Sequence, residues 1–140
     1  MKTSSALALL LAATSIAPAF AQSNGVQAQI PFAFTISGTT LQAGTYLIHS
    51  GSGGSQVLSM LDRTHGGTIL MLGAPGDSWA AKEDVLVFHQ YGNQYFLREI
   101  RTRNSSMNYD FSETKAEKQA RTVVEEAKLP TAAPVLIALR

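Results

Sequence analysis

The 140-residue chain contains no cysteine, which excludes a disulfide framework, thiolate zinc sites, thiol catalysis and a lipidated N-terminal cysteine. Net charge is almost absent too, formally +1 from 11 basic and 10 acidic side chains, so the usual electrostatic ground for binding nucleic acid is missing. The apolar stretch from Ala6 to Ala13 falls short of the roughly 20 residues that carry a helix across a bilayer, and no other segment is long enough. Between Gln22 and Trp79 only Asp62, Arg63 and Asp77 are charged, whereas glycine is missing from the end of the chain: all 11 lie between Gly25 and Gly92.

The first residues read as an export signal. Lys2 is followed by the Leu- and Ala-rich stretch, then Pro18, then Ala19-Phe20-Ala21, the small-x-small pattern read by a signal peptidase. Cleavage after Ala21 would leave Gln22–Arg140, 140 − 21 = 119 residues with 10 basic and 10 acidic side chains, secreted or periplasmic. A single domain of that length buries about two-thirds of its unfolded surface, enough to fold without crosslinks.

Glycine punctuation with short apolar runs predicts strands in the first part, and the charge-dense, glycine-free end predicts a helix. From Val26 to Ile36 the even positions are apolar and Pro31, which cannot donate to a ladder, places that strand at an edge or a bulge. Thr45–His49, Val57–Leu61 and Thr68–Leu72 read as further strands, with turns at Ser37-Gly38-Thr39-Thr40, Ala43-Gly44 and Asp62–Gly67 and a loose loop at Gly51–Ser55. Val85–Tyr91 and Gln94–Thr102 flank Gly92-Asn93, a glycine-first connection that predicts a type II′ hairpin. Its register would pair Tyr91 with Gln94, His89 with Phe96, Phe88 with Leu97 and Val87 with Arg98. Thr114-Lys115-Ala116-Glu117 fits a capping box in which Thr114 and Glu117 satisfy free amides reciprocally. The helix over about 115–128 would bury Ala116, Ala120, Val123, Val124 and Ala127 and pair Glu117 with Arg121. Pro134–Leu139 reads as a last strand. The expected fold is mainly β, an antiparallel sandwich or small barrel of about six to seven strands with one C-terminal helix.

Four segments carry a likeness: Ile30-Pro31-Phe32-Ala33-Phe34, Leu41–Tyr46, Leu86–Leu97 and Ser112–Arg121. Together they resemble a family of small secreted bacterial proteins of unknown function, with Gln42 where members usually show proline. The resemblance implies a compact exported β domain and supplies no reaction or catalytic residue.

Three histidines, His49, His65 and His89, with Asp62 and Asp84, have the donor types for a metal site but no ligand spacing. No metal or other cofactor is therefore expected. His89, Tyr91, Tyr95 and Arg98, with Glu99, gather polar chemistry on the hairpin, where a concave face could bind a small anionic or sugar-like ligand. Ser52 and Ser55 lack a nucleophile elbow and an acidic partner. Arg98, Arg101 and Arg103 form a basic run interrupted by Glu99. Only Val26–Ile36 has the alternation over about 9–11 residues that a membrane barrel strand needs. The reading that follows is a non-enzymatic exported domain that binds, or serves the envelope, through its charge-poor first half. Its partner would be another envelope protein, a polymer or a second copy. The competing reading is a ligand binder or cryptic enzyme built on His89, Tyr95 and Arg98.

Overall fold

The computed structural model describes residues 25–51, 55–76, 82–103 and 107–140. The leader with its cleavage site, most of the Gly51–Ser55 loop and Trp79 lie outside the described residues. One sheet runs β1 (Gly25–Ile30), β4 (Gly44–Ser50), β5 (Val57–Asp62), β6 (Thr68–Leu72), all antiparallel. The second runs β11 (Val135–Ala138), β8 (Val85–Tyr91), β9 (Gln94–Arg101), β10 (Tyr109–Asp110), β7 (Ala74–Pro75), with the β2 (Phe34–Ile36) and β3 (Thr39–Leu41) hairpin beside β9. The sheets are curled. A bridge between Ala28 and Leu139 and reciprocal backbone bonds between Gln27 and Arg140 join β1 to the end of β11. The fold is thus mainly β, a sandwich or half-barrel with a C-terminal helix α1 (Lys115–Glu126).

The described residues form eleven strands, more than the sequence suggests, because β3, β7 and β10 are too short to show a period. The expected strand over Val26–Ile36 is divided at Pro31–Ala33 between the two sheets. Pro31 cannot continue the ladder, yet the alternation survives the break: Ala28, Ile30, Phe34 and Ile36 are all buried. This crossing threads an aromatic chain through the core. Tyr95 stacks on Phe32 at 3.9 Å, Phe32 meets Phe88 edge-on at 5.1 Å, and Phe34 meets both Phe88 and Tyr46 edge-on. Such edge-on pairs each add about 0.5–1.5 kcal/mol to the gain from burial.

Tyr46 donates its hydroxyl proton to the Gln42 carbonyl at 2.5 Å. Burial, reinforced by the nearby Asp62 carboxylate, pushes its pKa up to about 12. The neutral phenol is therefore the folded form's preference. Its stabilisation is complete below the ordinary pKa of about 10 and disappears as pH rises toward the folded value. In an ultraviolet phenolate titration Tyr46 is expected to ionise well after an unfolded tyrosine, together with alkaline unfolding. A full set of four phenols titrating near the ordinary value in the folded protein would contradict this.

The β8–β9 turn has Gly92 at φ 62° while Asn93 is not left-handed, as a type II′ turn requires. Pairing follows the expected register from Tyr91↔Gln94 to Phe88↔Leu97, then shifts: Val87 faces Glu99, not Arg98. Arg98 is the extra residue of a bulge.

At α1, Thr114 accepts the Glu117 amide proton at 3.3 Å, giving one half of the capping box. The buried stripe is Glu117, Ala120 and Val124; Ala116, Val123 and Ala127 face outward instead of inward. Thr114→Ala is expected to cost about 1 kcal/mol in denaturant unfolding, the usual value of a side-chain N-cap.

Candidate functional site

The period of two sends Leu86, Phe88, Leu97 and Ile100 into the core, so Val87, His89, Tyr91, Phe96 and Arg98 lie on the outer face of the second sheet. Helix α1 covers part of that face. Its buried stripe delivers Glu117, whose side chain is 2 % exposed, onto the hairpin. Arg98 donates from Nη1 to Glu117 Oε1 at 2.9 Å and from Nε to the Phe111 carbonyl at 2.8 Å, while the Phe111 amide donates to the Arg98 carbonyl at 2.8 Å. The Tyr91 hydroxyl stands 3.5 Å from the same Oε1 and His89 Nδ1 3.6 Å from it.

A carboxylate removed from water needs a charged partner and hydrogen bonds, and the bulge supplies both by aiming Arg98 at it. Burial, then the Glu117 and Glu113 charges, hold the Tyr91 phenol above its ordinary pKa against the opposing pull of Arg98 and Arg121. The centre is a neutral guanidinium–carboxylate pair with a protonated phenol beside it. Its hydrogen bonds tie helix, bulge and the Phe111 segment together.

Three of the four residues singled out on the hairpin, His89, Tyr91 and Arg98, therefore converge. Tyr95 does not: it projects from the opposite face onto Phe32. Glu117 is the member the sequence reading missed. Its helical spacing pointed to Arg121, which pairs instead with Glu113 at 3.0 Å and more loosely with Glu125. The signal available was its place three residues after the Thr114 cap, on the same helix face as Ala120 and Val124.

The other candidates are dispersed. His65 Nδ1 lies 3.0 Å from Asp62 Oδ2, and His49 lies against Gly25 on the first sheet. The described residues hold no group of three or more His, Asp or Glu arranged for a metal ion. The Asp62 carboxylate, pushed up by burial, is pulled below its usual range by the amides of His65 and Thr64 and by the His65 imidazole. That closes the β5–β6 turn, where Gly66 and Gly67 adopt positive φ. Arg101 pairs with Glu99 and Arg103 with Asp84, so the basic run is spent on neighbouring carboxylates. Ser55 Oγ accepts the Val57 amide; Ser52 lies outside the described residues.

Two recesses flank the Glu117 cluster. A cavity of about 210 Å³ is lined by Thr35, Phe96, Ser112, Thr114 and Glu117, with Leu72 among its walls. A cleft of about 250 Å³ is lined by His89, Gln90, Tyr91, Thr131 and Pro134. Both are smaller than the roughly 300–1,000 Å³ of a drug-sized site.

A second surface, meeting the first cavity at Leu72, is set by the first sheet. Its inner positions are the core residues Ala28, Ile48, Leu58, Met60 and Met71. The outward positions of β1, β4, β5 and β6 carry no charged residue at all. On this face Val57 is 42 % exposed, and Leu70 and Leu72 are each 71 % exposed. Comparison with family models, curated proteins and solved structures gives no match to the chain.

Proposed function

We propose that the chain is an exported, non-enzymatic β domain, freed of its leader after Ala21, that acts by binding or as an envelope component through its charge-poor first half. The uncharged outer face of the first sheet supports this reading, since Leu70 and Leu72 stand in water with no function in the core. Large exposed apolar residues that adjoin one another mark interaction surfaces more often than isolated ones do. The hairpin cluster fits a structural role better, because Arg98 and Glu117 satisfy each other.

The second reading, a small-ligand site or cryptic enzyme, draws on the cleft beside His89 and Tyr91. It does so without Tyr95, which is committed to the aromatic chain. A photoreactive residue introduced at Leu70, and separately at His89, would be irradiated in cells exporting the chain. Adducts from Leu70 are expected. Adducts from His89 alone would overturn the proposal in favour of the hairpin cleft.

A further inference from the structure

We infer that the occupant of this surface is a second copy of the chain, joined edge to edge through β6 in an antiparallel pair centred on Leu70. The inference rests on the preceding reading that the charge-poor half is a binding surface, and it names the partner and the register.

The geometry of the β5–β6 ladder carries it. Asp62 donates its amide to the Gly67 carbonyl and Gly73 donates its amide to the Gln56 carbonyl, both at 2.9 Å. With Val57 opposite Leu72 and Leu61 opposite Thr68, these bonds fix which residues face β5. Antiparallel pairs alternate between bonded and unbonded, so Ile69 and Met71 spend their backbone groups on β5. The amides and carbonyls of Thr68, Leu70 and Leu72 point to the free edge.

β6 ends its sheet, with no strand paired to its outer side among the described residues. Of the other edges, β11 meets β1 only beyond its end, at Leu139 and Arg140, and the rest are covered or blunted. β1 is closed by Leu139 and Arg140, β3 has three residues, two of them threonines, and β7 has two residues, one a proline. β6 has neither proline nor charge, the usual guards of an exposed edge.

The five residues Thr68–Leu72 are complementary to themselves. With a twofold axis at Leu70, Thr68 of one copy faces Leu72 of the other and the two Leu70 residues face each other. All three are the bonded type of pair, giving about six new backbone hydrogen bonds. On the outer face the leucines of both copies pack together, and no charge opposes the contact. A strand bearing charge would find no counter-charge here, which favours a neutral partner. Five residues a side bury less than the roughly 1,200 Å² total of a standard stable interface, so the dimer is reversible and concentration-dependent.

The test is sedimentation velocity of the mature chain over a wide concentration range. It is repeated with Leu70→Lys and Leu70→Glu variants, singly and mixed, each checked for a native circular dichroism spectrum and melt. A wild-type dimer, at least about tenfold weaker in either variant because like charges meet on the axis, and restored when the two are mixed, is the expected result. A wild-type protein that stays monomeric throughout overturns self-pairing. A dimer indifferent to both substitutions overturns the β6 register. If Leu70 crosslinks in cells only to other molecules while the pure chain is monomeric, the binding surface stands and the second copy is the wrong occupant. Absence of any adduct from Leu70 removes the surface itself.

Discussion

Arg98→Met is expected to lower folding stability by about 3 kcal/mol, because it strands the Glu117 carboxylate in a site where that side chain is 2 % exposed. Breaking one partner of a buried pair costs about 3–5 kcal/mol, and the lower end applies since Arg98 itself is 24 % exposed. The substitution also removes the Nε donor from the Phe111 carbonyl, so the segment leading into α1 should loosen with it. Arg98→Met combined with Glu117→Leu is expected to recover most of the loss, as no uncompensated charge is then buried. Equilibrium urea unfolding of the three proteins measures both effects. A single variant within about 1 kcal/mol of the parent, or a double variant no better than the single, would show that the pair does not hold the helix.

Phe88→Ala is expected to cost about 3–5 kcal/mol, the range for emptying a phenylalanine site in a packed interior. Phe88 is fully buried, and it is the ring that both Phe32 and Phe34 meet edge-on. Its removal leaves a cavity at the point where the crossing segment passes between the sheets, and neighbours from three elements cannot all collapse into it. Leu70→Ala, at an exposed position, should by contrast change monomer stability by less than about 0.5 kcal/mol. Denaturant midpoints of the two variants, compared at one low protein concentration, test the contrast; equal losses would contradict the assignment of inside and outside.

Much of this organisation is legible in the sequence where the chain repeats a simple period or uses a demanding turn. Gly92-Asn93 set the hairpin and its first pairs, Thr114 marked the helix start, and the alternation from Val26 to Ile36 named the buried residues even though the strand breaks at Pro31. The bulge at Arg98 was harder to see because alternation alone cannot say where a residue is inserted. Two adjacent charged residues, Arg98 and Glu99, were the trace it left, since both face outward only if the period slips there. Glu117 was misplaced for a different reason: its partner is nineteen positions away along the chain, and a local helix pattern offers Arg121 first. The two-residue strands β7 and β10 pair with each other from distant parts of the chain and have no local signature to read, and β3, though joined to β2 by the Ser37-Gly38 turn, is too short to show a period.

The backbone bonds between Gln27 and Arg140 join positions separated by 140 − 27 = 113 residues. Closing so long a loop carries an entropic cost that is repaid only once both ends are in place, so this seam belongs among the last steps of folding. Until it forms, the flank of β1 turned away from β4 stays open. A chain that folds from its N-terminal end would therefore acquire its aromatic interior before that flank is sealed.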